Sequence, residues 1–485
     1  MNPSSEQHSP VENLRSNKGI LHNLSILTMG QIVSQLANVA ALVFLAGTLG
    51  PHWFGVVQIG VAAMGYALIS AEWGMMALGI REVSRLDDPR EIYIYATRHC
   101  GILAIQAAVV LAVGLVALPF LSFTAHDPWI FVFYLLTVVP QVYTQGWVAV
   151  GLERMTWVGL SRITRSLLYV LGIFLALPLL ARHTSWEAAR WVPVIFLTAT
   201  GLSNLVVNVP LSRWFGRFIH PHWPTWSECR RRWKQSSAIG ANSMVLRILF
   251  NIDIIILGTL ASPEIAGNYA AAAKIVFFLV VAMDVLWGAL LPRLSRMATV
   301  SRESFRLTFN LFFGTVSTIL AAIALGGWLV GPELVAFLYQ DKFPEAGGVF
   351  QVLAISYPLL ALSTFLGNTL LAQDRQRWYL LPLIVSSLAA VIGVRLLTPE
   401  HGGLGASWGM LMAHGLLFLI LVAISIRNFS RLLVQTWGLC LPAYGAMAWL
   451  VMTTESWHVV LRVVVGGLVF FLLAAPALWR LRMRS

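Results

Sequence analysis

The stretch NIDIIILGTLASPEIAGNYAAAAKIVFFLVVAMDVLWGALLPRLSR, residues 251–296, decides the class of fold. One apolar run ends in a short polar turn, a second follows, and basic residues close it. A ~30 Å hydrocarbon core takes roughly 20 helical residues to cross, so each run is long enough to span a bilayer. Working outward, the same pattern recurs along the chain. Apolar blocks lie near 22–48, 54–78, 99–122, 129–150, 157–181 and 191–212, then 237–260, 265–291, 308–331, 348–372, 378–398, 404–426, 436–453 and 457–479. The expected fold is an all-α polytopic membrane protein of about 14 transmembrane helices.

Composition agrees. Of 485 residues, 58% are apolar and 11% charged, against roughly 25% charge in a soluble domain. The formal charge of +12 does not point to nucleic acid, because its Arg residues sit in short loops between apolar blocks and not on one soluble face. Clusters at Trp223/Trp226/Trp233 and Trp186/Trp191 fit interfacial anchoring. Cys100, Cys229 and Cys440 show no metal or redox spacing. Residues 1–19 are polar, expected to be a disordered cytoplasmic tail, and lack the apolar core of a cleavable signal, so the first block is read as a retained helix.

Alternate loops separate by charge. One set holds 24 Lys and Arg: Arg15, Lys18, Arg81, Arg85, Arg90, Arg98, Arg154, the run from Arg213 to Lys234, Arg293, Arg296, Arg302, Arg306, Arg375, Arg377, Arg427, Arg431 and the C-terminal Arg480, Arg482 and Arg484. The opposite set holds 3, Arg182, Arg190 and Lys342. Positive loops stay cytoplasmic, which predicts an even span count with both termini in the cytoplasm. The longest loop, 213–236, falls on that side and leaves no room for an extracytoplasmic catalytic domain.

The halves repeat. Gly47-Thr48-Leu49 leads to Gly55 and, 26 residues on, to Arg81; Gly258-Thr259-Leu260 leads to Gly267 and, 26 residues on, to Arg293. Glu153-Arg154 with Trp157 answers Asp374-Arg375 with Trp378, and the second half's extra residues fall at 332–347. The predicted division is a six-helix lobe with its linker over 20–236, a second lobe over 237–435, and an appended helix pair with a basic tail over 436–485. Repeats with an even number of spans are related by an axis along the membrane normal, with a substrate path between them.

Charge inside a span costs at least ~2.5–3.5 kcal/mol on insertion scales, so each such group needs a partner or a wet cavity. Asp253 and Lys274 flank the turn between the seventh and eighth spans at similar depth, either as an ion pair fixing the hairpin or as a lumen charge. Arg247 lies deeper, turned roughly 120° from Asp253; its planar fork suits the phosphates of an anionic substrate. Arg162 and Arg165 in the fifth span are further basic candidates. Glu72 shifts by 212 residues onto Asp284, as Arg81 shifts onto Arg293. Each half thus carries a carboxylate nine residues, ~13 Å of helix, before its loop Arg. These acids are expected to bind a coupling ion, to close a gate through salt bridges, or to make plain interhelical hydrogen bonds. His414 is a weaker proton-relay candidate. Arg395 and Arg462 lie near span ends and are expected to snorkel.

Leu49-Gly50-Pro51 with Phe54-Gly55, Gly79-Ile80-Arg81-Glu82 and Gly151-Leu152-Glu153-Arg154 resemble the polysaccharide transporter family of the multidrug/oligosaccharidyl-lipid/polysaccharide exporter superfamily. So do NIDIIILGTL, Gly267-Asn268-Tyr269, the AAAKI run at 271–275 and LLPRLSR at 290–296. The resemblance spans essentially the whole chain. It implies a Wzx-type flippase of the bacterial inner membrane, moving polyprenyl-diphosphate-linked oligosaccharide by alternating access. It also implies proton or sodium as coupling ion, and a polysaccharide polymerase complex as protein partner. No cofactor, metal, nucleic acid or enzymatic activity is expected. The alternatives are a lipid II or other lipid-carrier flippase and a multidrug exporter of the same superfamily. A membrane glycosyltransferase or polymerase is disfavoured by the short loops at 122–128, 260–265 and 398–403.

Overall fold

The computed structural model describes residues 17–180, 184–373, 375 and 377–484, with side chains from residue 38 onward except in part of 278–300 and at the C-terminal end. The expected charges Arg15, Arg182 and Asp374 lie outside the described residues. Among those described there is no strand, and nine helices are long and apolar enough to cross a membrane. The protein is an all-helical, multi-pass membrane protein.

The chain divides into two compact units. The first comprises residues 1–48 and 60–244, the second 49–59 and 245–485. The first helix, α1 (Asn17–Glu72), turns at Gly50, whose φ of 68° suits a glycine immediately before Pro51. In the first unit follow α2 (Met75–Val83), α3 (Pro89–Ala117) and three short helices, α4 (Pro128–Leu136), α5 (Val138–Val142) and α6 (Gly146–Gly151). These three fill the block expected near 129–150, so that span is broken, with Pro140 inside α5. Then come α7 (Met155–Leu171), α8 (Leu177–Leu180) and α9 (Ser185–Phe215). Starts are capped as the sequence dictates: Asp88 and Asp127 each accept an amide two residues on, ahead of a proline at the first helical position. Thr184 caps α9 by accepting from the Glu187 amide.

The helix α10 (Trp226–Leu260) starts in the first unit and continues into the second. The second unit then holds α11 (Pro263–Val300), α12 (Arg302–Tyr339), α13 (Ala346–Ala372), α14 (Arg377–Ser425), α15 (Arg431–Thr453) and α16 (Val459–Arg484). α13 is its most enclosed helix, packed by α11, α12 and α14. α14 folds back on itself at Gly402, whose φ is 55°. Its arms press together so closely that a Cβ on Gly405 would lie 2.1 Å from the Leu397 carbonyl oxygen, and one on Gly409 2.5 Å from the Val394 nitrogen. Two helices joined at Gly402 therefore cover the blocks expected at 378–398 and 404–426.

Two expectations change. Half of the 213–236 linker is helical, because α10 starts at Trp226 and not near 237; basic residues hid a helix that hydropathy alone ends early. Arg462 does not snorkel. It is 3% exposed, its guanidinium donates to the Val451 carbonyl at 2.9 Å and pairs with Glu333, and so joins α16 to α12 and α15. Arg395 is exposed, as expected of an anchor.

Candidate substrate and coupling site

The densest intramembrane charge among the described residues lies in the hairpin of α10 and α11. Ser262 caps α11 and Pro263 opens it, so the turn is only Ala261-Ser262 and the two helices run antiparallel from it. Asp253 is 1% exposed. Its carboxylate accepts from the Tyr269 hydroxyl at 2.5 Å and from the Ile254 amide at 2.8 Å. A buried carboxylate is tolerable only with such donors. Lys274, half-buried, is within electrostatic reach of both Asp253 and Arg247. The ion pair expected between Asp253 and Lys274 is thus replaced, at contact distance, by a tyrosine hydrogen bond.

The residue at the depth of Asp253 is Tyr269 and not Lys274. Asp253 and Tyr269 are each eight positions from Ala261, whereas Lys274 is five positions, or about 7.5 Å, deeper. Counting symmetrically from the turn would have found Tyr269. Beside it stand Tyr357, 3% exposed, and His414, which is fully buried with Nδ1 2.8 Å from the Ser356 hydroxyl. The Tyr357 ring meets the His414 ring edge-on at 5.9 Å.

Arg247 and Lys274 are therefore two cations within electrostatic reach of one another, with Asp253 in reach of Lys274, all within the second unit. Arg162 and Arg165 belong to the first unit, on α7, the former exposed and the latter half-buried, within electrostatic reach of one another. Glu72 ends α1, half-buried. Trp73 and Gly74 follow at positive φ and break the helix before Arg81, so the expected 13 Å of straight helix does not exist there. Arg81 is exposed and pairs with Glu82 at 3.1 Å. For Asp284 and Arg293 only the helical backbone of α11 is described; their side chains lie outside the described residues.

One further constellation escaped the sequence reading. The 212-residue shift also relates Pro51 to Pro263 and His52 to Glu264. Within the second unit these partners meet reciprocally. A Cβ on Gly55 would lie 1.9 Å from the Pro263 carbonyl oxygen, and one on Gly267 2.0 Å from the Pro51 carbonyl oxygen. His52 Nδ1 sits 2.6 Å from a Glu264 carboxylate oxygen. Equivalent residues touching equivalent residues is the signature of a local two-fold relation between the segments 51–55 and 263–267. Phe343, from the segment that holds the second half's extra residues, closes over the crossing with its ring 5.7 Å from Phe54.

Comparison with known proteins gives this architecture a family. Residues 20–298 match the model of the polysaccharide biosynthesis protein family. The chain belongs to that family. It is 22% identical over 428 residues, 87% of this chain and 100% of the relative, to an Escherichia coli (strain K12) protein named "Putative O-antigen transporter". Its fold is similar to that of the lipid II flippase MurJ in an inward closed conformation, with TM-score 0.75 at 12% identity, covering 93% of this chain and 98% of that one. An inward-facing multidrug resistance MATE family transporter of the MOP superfamily is also similar, with TM-score 0.63 at 14% identity over 84% of this chain and 98% of that one.

Proposed function

We propose that this protein flips lipid-linked oligosaccharide, carried on a polyprenyl diphosphate, across the bacterial inner membrane for surface polysaccharide synthesis. It crosses fourteen times as two six-helix lobes and an appended pair, with both termini cytoplasmic, and transports by alternating access without covalent chemistry. The observation that carries the reading is the hairpin of α10 and α11, which holds Arg247 and Lys274 within electrostatic reach of one another, with α10 long and apolar enough to cross a membrane. Two like charges kept together at that depth are stabilised by an anion, and a guanidinium binds a phosphate through two parallel hydrogen bonds. An exporter of cationic drugs would be served by the reverse charge. Asp253, held by Tyr269, is the proposed coupling carboxylate, exchanging a proton or sodium. Glu72 and Asp284, with Arg81 and Arg293, are proposed as gate residues, and Arg162 and Arg165 as further substrate contacts. A polysaccharide polymerase is the proposed neighbour in the membrane.

Arg247→Ala is expected to abolish export of surface polysaccharide in a complementation assay while the protein accumulates normally. Arg247→Lys, which keeps the charge but loses the fork, is expected to restore only part of it. Undiminished polysaccharide with the alanine variant removes Arg247 from the mechanism.

A further inference from the structure

We propose that the linker and the outward face of α3 form a binding site for one anionic, two-chain phospholipid, in the leaflet that the basic loops face. The site starts from a close approach of backbone to backbone. The His222 amide donates to the Thr97 carbonyl at 3.0 Å, and a Cβ on Gly101 would lie 1.9 Å from the His222 carbonyl oxygen. Only glycine lets the linker lie this close to α3. Pro221 and Trp223 are thereby planted on one side of a ridge, and Pro224 and Trp226 on the other.

That ridge is Ile105 and Val109, which line two apolar grooves at once. One, of about 620 Å³, is flanked by Pro221 and Trp223. The other, of about 650 Å³, is flanked by Pro224, Trp226 and Trp233, with Arg230 at its edge. Trp223 and Trp226 are 79% and 81% exposed, which fits rings anchored at the headgroup level and not in a protein core. Between 213 and 236 the chain carries six cations and one acid, Glu228. Two of the six already have partners: Arg232 is buried, with its guanidinium over Tyr95 and bonded to His99 at 2.8 Å, and Arg217 lies over the Tyr93 ring at 3.8 Å; the one acid, Glu228, pairs with Arg98 of α3 at 3.1 Å. Arg230 lines the second groove, and Arg230, Arg231 and Lys234 are all exposed on the first turns of α10.

Two apolar channels separated by a ridge, with a cationic rim at one end, match a molecule with two chains and an anionic head. A polyisoprenoid carrier has one chain and would leave a groove empty. A zwitterionic lipid gains nothing net from the rim. Each Lys or Arg near an anionic surface favours binding by roughly fivefold.

The test is native mass spectrometry of the purified full chain titrated separately with phosphatidylglycerol, phosphatidylcholine of the same acyl chains, and polyprenyl phosphate. Wild type is expected to retain one phosphatidylglycerol. Arg230→Ala/Arg231→Ala/Lys234→Ala is expected to weaken retention roughly a hundredfold with no change in melting temperature. Val109→Trp, at a position 56% exposed and thus free to change without disturbing a core, is expected to block it through the apolar side alone. Should the triple variant fail to accumulate, Arg230→Gln, expected to be roughly fivefold weaker, decides the same question. Equal retention by wild type and charge variants overturns the proposal. So does equal retention of phosphatidylcholine, or displacement of phosphatidylglycerol by polyprenyl phosphate.

Discussion

From Pro51 the second helix of the first repeat runs to Glu72 and then stops at Trp73 and Gly74, at φ of 36° and 75°; from Pro263 its counterpart runs unbroken to Val300. The two begin alike because Gly55 and Gly267 occupy the same register and each admits the other helix's carbonyl. They end differently because the residues 212 positions beyond Trp73 and Gly74 are Val285 and Leu286. Left-handed backbone costs a leucine ~1–2 kcal/mol, whereas glycine adopts it at little cost. The break then lets Gly240 of α10 reach within 2.9 Å of the Trp73 backbone, measured from where its Cβ would stand. Repeats fold alike where they must touch each other, and diverge where each meets its own surroundings.

The strongest way to break the shared end is Gly267→Leu. Its Cβ would stand 2.0 Å from a carbonyl oxygen in a helical backbone, which cannot yield as a side chain can. The expected cost is at or above the upper end of the ~1–3 kcal/mol usual for overpacking. Protein level, melting temperature in detergent and surface polysaccharide should all fall together, and Gly55→Leu should reproduce the loss from the other side. If either variant melts like wild type, the reciprocal crossing is not a native contact.

The divergent end is sharpened by a pair of opposite substitutions. Gly74→Ala forces a Cβ into left-handed backbone at ~1–2 kcal/mol and places it 2.8 Å from the Gly240 nitrogen and the Ser236 oxygen. Leu286→Gly puts the flexible residue where the second repeat has none, at a helix-propensity cost of ~1 kcal/mol. The first is expected to lower the melting temperature more than the second. The reverse order would mean that the break at Trp73-Gly74 is not held by α10.

Much of this was legible beforehand, and for identifiable reasons. Apolar blocks mark spans because hydrocarbon excludes charge. The register of 212 was readable at Gly55 and Gly267, and at Glu72 and Asp284. It went unread at His52 and Glu264, because a histidine and a glutamate do not look alike, although they complement each other. Tyr269 stood in a motif that was recognised, yet its role needs the depth of Asp253 across a turn of two residues. The helical half of the linker was hidden for the opposite reason: its Arg residues favour helix while lowering hydropathy.

The mildest intervention addresses that unlike pair. His52 and Glu264 keep side-chain exposures of 33% and 52%, so water and salt screen them, and an exposed ion pair contributes about 0–1 kcal/mol. The glycines beneath them, not the charges, set how near the helices come. His52→Gln, Glu264→Gln and the double variant therefore form a cycle whose coupling, read from melting temperatures, is expected below ~1 kcal/mol and smaller still in high salt. Export should survive all three, in contrast to Gly267→Leu. A coupling well above that bound, insensitive to salt, would show the pair to be shielded and would move the hold on this crossing from backbone packing to charge.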